Sequence, residues 1–368
     1  MRYYILVLGL LIGLFWGCKK DKDEPQNQKN PLTLPSDYGY DSVSYYNNAS
    51  QALNYANALV NFENELKKGR DITYSLQKAK LDSMYLILKS ITPNSIQLMH
   101  EQYLNEIVQA SGKTHDPFAP NEGGIYGGYI FNKHGVDLHE LLTKSIWGIS
   151  FLNEMNKLTS NLSNKSQIDA IIAYYGAHPY FKNSYNSTLH GTYADKFSAN
   201  YAARRDKNDG NGFYTKIKYN FLKLKAAVEA GQNYNTEKQE AIHDIYKYIE
   251  KVYAATAINY CYSAKSKLEL SNPTSNDFGS ALHALGEAIV FITNIQNMTH
   301  KTLSDSDAQY ILEQFNYKPT PNLNLFVTQT FNQLPKLNNV LNKLKSVYGF
   351  TDAEMEDFKN NWVQVQNR

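Results

Sequence analysis

Apolar residues recur with helical spacing over most of this chain. Between residues 237 and 268 they return every three or four positions with charged residues between them, and the stretch 280–295 repeats the pattern. The same spacing is found over residues 52–66, 76–88, 96–108, 138–158, 168–175, 214–230, 325–347 and 352–363. The alternation typical of strands is nearly absent. We therefore predict an all-α protein, an up-down bundle of roughly ten to twelve helices.

Runs rich in glycine, proline, asparagine and aspartate separate these helices. The longest, residues 116–128, contains two glycine pairs, which allow positive φ and close backbone approach. No strand pattern precedes it and no Gly-Lys-Ser/Thr follows, so we predict a loop without phosphate-binding function. The run 206–212 resembles a calcium loop, but its glycine falls one place early and Ile217 replaces the closing glutamate. We predict a turn there.

The N-terminus has the pattern of an exported lipoprotein. A basic Arg2 precedes an apolar stretch at 3–16, which is too short to span a bilayer comfortably, and Gly17-Cys18 follows. Gly17-Cys18 after a large apolar residue resembles a bacterial lipobox, in which Cys18 is lipidated and becomes the first mature residue. We predict a signal peptide at residues 1–17 and a lipid anchor on Cys18. An ordinary signal peptide cut elsewhere is the alternative.

A polar segment follows the cysteine. Residues 19–24 are lysine, aspartate and glutamate, and a stretch rich in proline, asparagine and glutamine continues to about residue 35. We predict a flexible tether over residues 18–43 and a helical domain over 44–368, with a division into two bundle halves near 185–212 as an alternative. The charged run resembles the surface-export signal of Bacteroidetes lipoproteins. That resemblance implies the outer face of the outer membrane, and a tether facing the periplasm is the alternative.

Composition and charge limit the classes of partner that the protein can bind. The formal net charge is +2 without a basic stripe, and the predicted export also argues against nucleic acid. The only cysteine besides Cys18 is Cys261, so neither a disulfide framework nor a thiolate metal site is expected. The expected partners are the membrane, through the lipid on Cys18, and a transporter or assembly of the outer membrane.

The first candidate site lies at the predicted start of a helix. Asp137 can cap that helix, with Glu140 three residues later as in a capping box. Because the two carboxylates lie one turn apart on one face, they can also bind a metal ion.

The second candidate pair is His283 with Glu287, at positions i and i+4 of a predicted helix. Such a pair shares a face and can bind a metal in a bundle core. The spacing is not the HExxH pattern of zinc peptidases. A hydrogen bond between helices is the simpler interpretation.

The third candidate is the aromatic run at 174–181, which contains Tyr175, His178 and Tyr180. His178 near a helix C-terminus fits the helix dipole, and the rings most simply pack together. A group of tyrosine and histidine can also line a pocket for a flat ligand such as haem or a glycan. The sequence offers no Ser-His-Asp spacing or reactive cysteine.

Four blocks in order resemble an uncharacterised Bacteroidetes lipoprotein family of the imelysin-like class, at residues 44–68, 132–148, 168–181 and 249–292. The resemblance implies a helical bundle related to iron-regulated imelysins, which are named after a supposed peptidase. Imelysins carry a G-x-H-x-x-E motif, and Gly135 and Glu140 match it while Asp137 stands at the histidine position. A Trp-Asp-Glu-Ala-x-Gly-Tyr-Phe block of the related family corresponds to residues 175–181, which lack its acidic pair.

Three functions follow as hypotheses. The first is a non-catalytic binding module, anchored at the surface, that helps to acquire iron or haem. The second is a metal-dependent hydrolase of the imelysin type, built on Asp137, Glu140, His283 and Glu287. The third is a structural component of an outer-membrane assembly. The cofactor is undetermined, with a metal ion or haem as candidates.

Overall fold

The structure, a computed structural model, describes residues 29–119 and 122–368. Within them, twelve α-helices have eight or more residues, which confirms the predicted all-α class. The helices are α1 Ser42–Asn48, α2 Ser50–Lys67, α3 Lys78–Lys89, α4 Asn94–Ala110, α5 Leu138–Ser145, α6 Leu152–Ser160, α7 Lys165–Tyr175, α8 Ser187–His190, α9 Phe197–Arg204, α10 Phe213–Ala230, α11 Asn235–Leu268, α12 Ser275–Gln296, α13 Asp305–Gln314, α14 Leu325–Thr328, α15 Thr330–Tyr348, α16 Asp352–Asp357 and α17 Trp362–Val365.

The two longest helices form the centre of the fold. Helices α11 and α12 pack against each other, and the short connection between them makes them antiparallel. Among the described residues, α12 is the helix long and apolar enough to cross a membrane, with a mean hydropathy of 1.3. In this structure 78% of that window is buried inside the protein. Helix α12 is therefore the core helix onto which the other layers pack.

The glycine-rich run predicted as a loop contains a small hairpin. Strands β1 Gly123–Tyr126 and β2 Tyr129–Asn132 pair antiparallel, and Gly127 and Gly128 form the turn with φ of 55° and 85°. Glycine adopts such positive φ values without strain, as a two-residue hairpin turn requires. A Cβ on Gly127 would lie 2.5 Å from the Ser275 carbonyl oxygen, so the hairpin tip lies against the start of α12. The loop prediction missed this hairpin because four-residue strands are too short to produce a clear alternation.

The ordered domain begins earlier than predicted. Residues 32–368 form one compact unit, without a division near 185–212. Tyr38 is only 2% exposed, its hydroxyl donates to Asp169 at 2.8 Å, and its carbonyl accepts from Lys225 at 2.8 Å. The prediction that the flexible tether reaches residue 43 was therefore wrong at its C-terminal end, because Tyr38 finds buried partners more than a hundred residues away. The predicted signal peptide, Cys18 and the first part of the tether lie outside the described residues.

Candidate functional site

Helix α5 carries half of the principal candidate site. Its N-cap is Asp137, whose Oδ1 accepts the Glu140 backbone N–H at 3.3 Å, so the predicted capping role is confirmed. All eight residues of α5 are buried, including the ionisable His139, Glu140 and Lys144. Buried charges are expensive unless they are paired, so these side chains need partners from other elements.

Helix α12 supplies the other half of the site. His283 Nδ1 lies 2.9 Å from Asp137 Oδ2 and 4.0 Å from Glu140 Oε1, and its Nε2 lies 3.5 Å from Glu287 Oε1. One ligand atom each from Asp137, Glu140 and His283 lie within 4.8 Å of one another. The two pairs singled out in the sequence are thus brought into one place. Metal binding by them stays a prediction.

Two cations that the sequence did not single out complete this group. Arg70 Nη2 donates to Glu140 Oε1 at 2.6 Å and lies 3.6 Å from Asp137 Oδ2. Lys144 contacts the other oxygen of Glu140 and lies 3.1 Å from Glu287 Oε1. We call the six side chains of Arg70, Asp137, Glu140, Lys144, His283 and Glu287 the ionic cluster. Lys144 stands four residues after Glu140, so helical spacing could have predicted this ion pair. Arg70 lies 70 residues before Glu140, and no local pattern indicates that the two meet.

The charges of the ionic cluster do not cancel. Three carboxylates face two permanent cations, so one negative charge remains when His283 is neutral. Burial opposes the ionisation of Glu140, but the charges of Lys144 and then His139 outweigh it and hold the pKa of Glu140 well below its usual range. Burial also disfavours the charged form of His283, yet the hydrogen bond to Asp137 and the charge of Glu287 outweigh it and raise the pKa of His283. The cluster therefore favours one positive charge at His283, which a proton or a metal ion can supply.

Three buried polar atoms around the cluster have no hydrogen-bond partner among the described residues: Arg70 Nε, His139 Nε2 and Glu287 Oε2. Buried polar atoms are normally paired, so each such atom requires an explanation. Glu287 is 4% exposed, and its other oxygen, Oε1, lies 3.1 Å from Lys144 Nζ and 3.5 Å from His283 Nε2, so the unpartnered Oε2 belongs to a carboxylate within the cluster. A positively charged ligand would satisfy it.

The hairpin covers the ionic cluster. Tyr129 of β2 stacks on the His283 ring, with centroids 4.1 Å apart and planes at 18°, and Arg70 lies over the same tyrosine at 5.0 Å. The side chains of Arg70 and His283 are 24% and 18% exposed, whereas those of Asp137, Glu140 and Glu287 are at most 7% exposed. Access from solvent is thus limited to the side on which Arg70 and His283 lie.

The helix that carries Glu140 and Lys144 changes its geometry directly after them. A π-helical turn, Ile146–Phe151, joins α5 to α6. A Cβ on Gly148 in this turn would overlap the side chain of Asn294, which donates to the Lys144 carbonyl at 3.2 Å. Short π-helical turns are frequent at functional sites, because they widen the helix and free carbonyl groups.

A second group of residues, which we call the aromatic cluster, consists of Tyr40, Tyr45, Tyr46, His178, Tyr180 and Tyr193. The ring centroids of Tyr193 and Tyr40 lie 4.5 and 4.6 Å from that of His178, and Tyr180 lies 4.9 Å away. His178 also lines a cleft of about 300 Å³. The structure thus joins His178 and Tyr180, as the sequence predicted.

Tyr175 does not join the aromatic cluster. It is 1% exposed, its ring lies 5.7 Å from that of Phe221, and its hydroxyl is buried without a partner. The chain leaves helix α7 through Gly176 at φ 95°, which turns His178 and Tyr180 away from the helix face occupied by Tyr175. Proximity in sequence was therefore misleading for Tyr175.

The run 206–212 is a turn, as predicted. The two carboxylate oxygens of Asp206 accept the backbone N–H groups of Asn208 at 2.6 Å and Thr215 at 2.8 Å. Asp206 is fully buried and serves the local backbone.

Fold and site together define an all-α protein with a buried ionic cluster between its central helix and a neighbouring one. Residues 169–351 match the model of a family described as "Domain of unknown function (DUF4856)". The match contains His283 and Glu287 but begins after Arg70, Asp137, Glu140 and Lys144, so it covers two of the six side chains of the ionic cluster. Searches of curated proteins and of solved structures gave no match. An uncharacterised family is thus supported, and the likeness to imelysins stays a prediction.

Proposed function

We propose that this protein is a lipid-anchored, non-catalytic binding module that holds a transition-metal ion, with Fe²⁺ as the leading candidate, in the ionic cluster. The observation that carries this proposal is the convergence of Asp137, Glu140 and His283 within 4.8 Å. Asp137 and His283 are 146 residues apart in the chain, so the tertiary fold alone brings them together.

The donor set favours a transition metal over calcium or magnesium. Two carboxylates and one imidazole offer two oxygens and one nitrogen, a combination suited to Fe²⁺, Mn²⁺ or Zn²⁺. Ca²⁺ takes six to eight oxygen ligands and Mg²⁺ keeps several waters, so neither uses the histidine. Glu287 lies 3.5 Å from His283 Nε2, where it can orient the imidazole while Nδ1 faces the metal.

Burial favours binding over catalysis. A catalytic metal needs an open coordination position that substrate can reach. Here Asp137 is fully buried and Glu140 is 5% exposed, and Tyr129 covers His283. A single ion can enter from the side on which Arg70 and His283 lie, but a polypeptide substrate cannot approach the buried carboxylates. The burial of the carboxylates therefore favours iron binding over a metal-dependent hydrolase.

The location in this proposal rests on the N-terminal sequence. The lipobox-like Gly17-Cys18 and the charged run after it support a lipoprotein of the outer membrane that faces the cell exterior. A tether brings a folded domain within a few tens of ångströms of the membrane, which suits the capture of a nutrient beside a transporter.

The test is a metal titration of the mature chain, made without its lipid by Cys18→Ser. Fe²⁺ under anaerobic conditions, Mn²⁺, Zn²⁺, Ca²⁺ and Mg²⁺ are compared by calorimetry and thermal unfolding. A metal at a hundredfold its Kd stabilises the folded state by about 2.7 kcal/mol, so we expect a higher Tm with Fe²⁺, Mn²⁺ or Zn²⁺. Absence of any metal-dependent shift would overturn the proposal and leave the cluster with a structural role.

Variants locate the effect. Asp137→Asn removes the charged ligand but keeps a good N-cap residue, so helix α5 keeps its cap, and circular dichroism of the variant checks the fold. We expect it to lower the affinity for the metal at least about tenfold, because even the mutation of a residue that only orients a metal ligand typically costs that much. Glu356→Gln, on the exposed helix α16, is the matched control and should bind metal like the wild type. An equal shift in Asp137→Asn and wild type would place the metal elsewhere. Hydrolysis of casein by the metal-loaded wild type would favour the peptidase instead.

A further inference from the structure

The aromatic cluster exposes more ring surface than packing alone explains. Tyr46, Tyr180 and Tyr193 are 47%, 48% and 37% exposed, although they belong to one cluster around one histidine. Single exposed aromatic residues are ordinary, but several at one place indicate a binding surface. The cleft lined by His178 adds the polar side chains of Asn57, Thr192 and Lys196. Tyrosine faces beside polar side chains can contact a ligand that is itself partly apolar and partly polar.

The hydrogen bonding of His178 defines which atom it offers to a ligand. The Tyr180 backbone N–H donates to His178 Nδ1 at 3.2 Å, so Nδ1 is the acceptor nitrogen of the ring. Burial, aided by the charge of Lys182, lowers the pKa of His178 to about 4, so the ring is neutral at neutral pH. A neutral imidazole that accepts at Nδ1 carries its hydrogen on Nε2. His178 Nε2 is buried and has no hydrogen-bond partner in the part of the chain that the structure describes.

An N–H donor selects the class of ligand. Haem iron or another metal ion needs a nitrogen lone pair, and the lone pair of His178 is on Nδ1, where Tyr180 N–H already occupies it. A hydroxyl or ring oxygen of a sugar can accept from Nε2–H. The C–H face of the same sugar packs on an aromatic ring, as the exposed rings of Tyr46, Tyr180 and Tyr193 allow. Of the two flat ligands that the sequence allowed, the geometry fits the glycan.

The backbone beside the cluster is strained. Phe181 and Phe197 have φ of 47° and 48°, in the left-handed region that bulky residues rarely adopt. Phe197 lines the same cleft as His178. Strain of this kind persists where the surrounding structure holds it, often at ligand-binding sites.

We propose that the aromatic cluster is a second ligand site, separate from the ionic cluster, that binds a neutral glycan by stacking on its exposed tyrosine rings and by a hydrogen bond from His178 Nε2. The ligand is a chain of pyranose units without charged groups.

The experiment uses the mature chain with Cys18→Ser and five neutral hexasaccharides: maltohexaose, cellohexaose, xylohexaose, mannohexaose and chitohexaose. Each is titrated by calorimetry and by saturation-transfer NMR. We expect at least one to bind with a Kd of about 1 mM or below, the affinity expected for ring stacking and a single hydrogen bond. If none of the five binds at a concentration of about 10 mM, tenfold above that Kd, the proposal is overturned.

Variants separate stacking from hydrogen bonding. Tyr180→Ala changes a half-exposed side chain, so the variant should fold. We expect it to lower the affinity for the glycan about tenfold. His178→Phe keeps a ring and removes the donor, with a similar loss. Tyr219→Ala, a 53% exposed tyrosine on α10, is the control and should leave binding unchanged. Glycan binding that survives both Tyr180→Ala and His178→Phe would contradict the site.

Two further arms keep this proposal distinct from the metal site and from haem. Asp137→Asn should bind glycan like the wild type, whatever its effect on metal. Haemin is added to wild type and His178→Phe, and the Soret band is followed. A shifted Soret band that disappears in His178→Phe would show a free lone pair on Nε2 and overturn the glycan assignment.

Discussion

The ionic cluster and the aromatic cluster each place a histidine near the surface against a tyrosine ring, yet the two histidines respond in opposite ways. Burial disfavours the charged form of both. In the ionic cluster the hydrogen bond to Asp137 and the charge of Glu287 outweigh burial and raise the pKa of His283. In the aromatic cluster burial and the charge of Lys182 act in the same direction, so the pKa of His178 falls to about 4. The neighbours, rather than burial, decide which form each histidine takes.

The same difference decides what each histidine can bind. His283 points Nδ1 at a carboxylate that a metal ion could share, and a metal would replace the proton between them. His178 has its lone pair fixed by a backbone N–H and presents a hydrogen instead. One cluster is thus suited to a cation and the other to an oxygen acceptor.

The largest expected effect breaks the ionic cluster. Glu140→Ala removes the carboxylate that pairs with both Arg70 and Lys144 and leaves Lys144, 8% exposed, with Glu287 alone. Removing one member of a buried ion pair costs about 3–5 kcal/mol, so we expect a loss of that size in the free energy of unfolding. Urea unfolding followed by circular dichroism measures it.

A matched exposed pair provides the control for that loss. Glu356 lies 2.7 Å from Lys359 with its side chain 67% exposed, and Glu356→Ala should change stability little because solvent screens the pair. Equal stability of Glu140→Ala and Glu356→Ala would mean that the two cations of the ionic cluster do not depend on Glu140.

The second prediction uses pH to sharpen the contrast between the histidines. His178 stays neutral in the folded protein down to a pKa of about 4, whereas in the unfolded chain it takes up a proton near 6.5. The free energy of unfolding therefore falls as pH decreases through this window, by at most about 1.4 kcal/mol per pH unit. His283 has a raised pKa in the folded protein, so its contribution is complete below pH 6.5 and is lost as pH rises through that raised pKa.

Two variants separate these slopes. His178→Phe should flatten the acid side of the stability profile, and His283→Gln the alkaline side, in urea unfolding across the pH range. NMR titration of the imidazole Cε1–H signals reports the two pKa values directly. If both histidines shift in the same direction, the contrast between the clusters is wrong.

Local spacing predicted part of both sites. Helical periodicity places His283 and Glu287 on one face, and the cap pattern pairs Asp137 with Glu140, so each pair was visible in the sequence. Their meeting depends on the packing of α5 against α12, which no local pattern encodes. Arg70 was missed for the same reason.

The aromatic cluster shows where chain proximity fails. Tyr175 and His178 are three residues apart, but the positive φ of Gly176 sends them to different environments. Tyr40 and Tyr45 come from a segment far before His178 in sequence, and Tyr193 follows it after a short helix, so the cluster is complete only in three dimensions. The all-α class was predictable because it sums many local signals, whereas a site depends on a few long-range contacts.

The smallest expected effect tests whether the aromatic cluster is held by its rings. Tyr180 and Tyr193 meet edge to face at 5.1 Å, an arrangement worth about 0.5–1.5 kcal/mol in a double-mutant cycle. We expect Tyr180→Ala, Tyr193→Ala and the double variant to give a coupling energy in that range, unchanged by added salt, because neither ring is charged. A cycle on the exposed pair of Glu356 and Lys359 should weaken with salt and serves as the comparison. A salt-dependent Tyr180–Tyr193 coupling would mean that the charge of Lys182, whose Nζ lies 5.3 Å from the Tyr180 ring centroid, contributes to this contact, so that the rings alone do not hold the cluster.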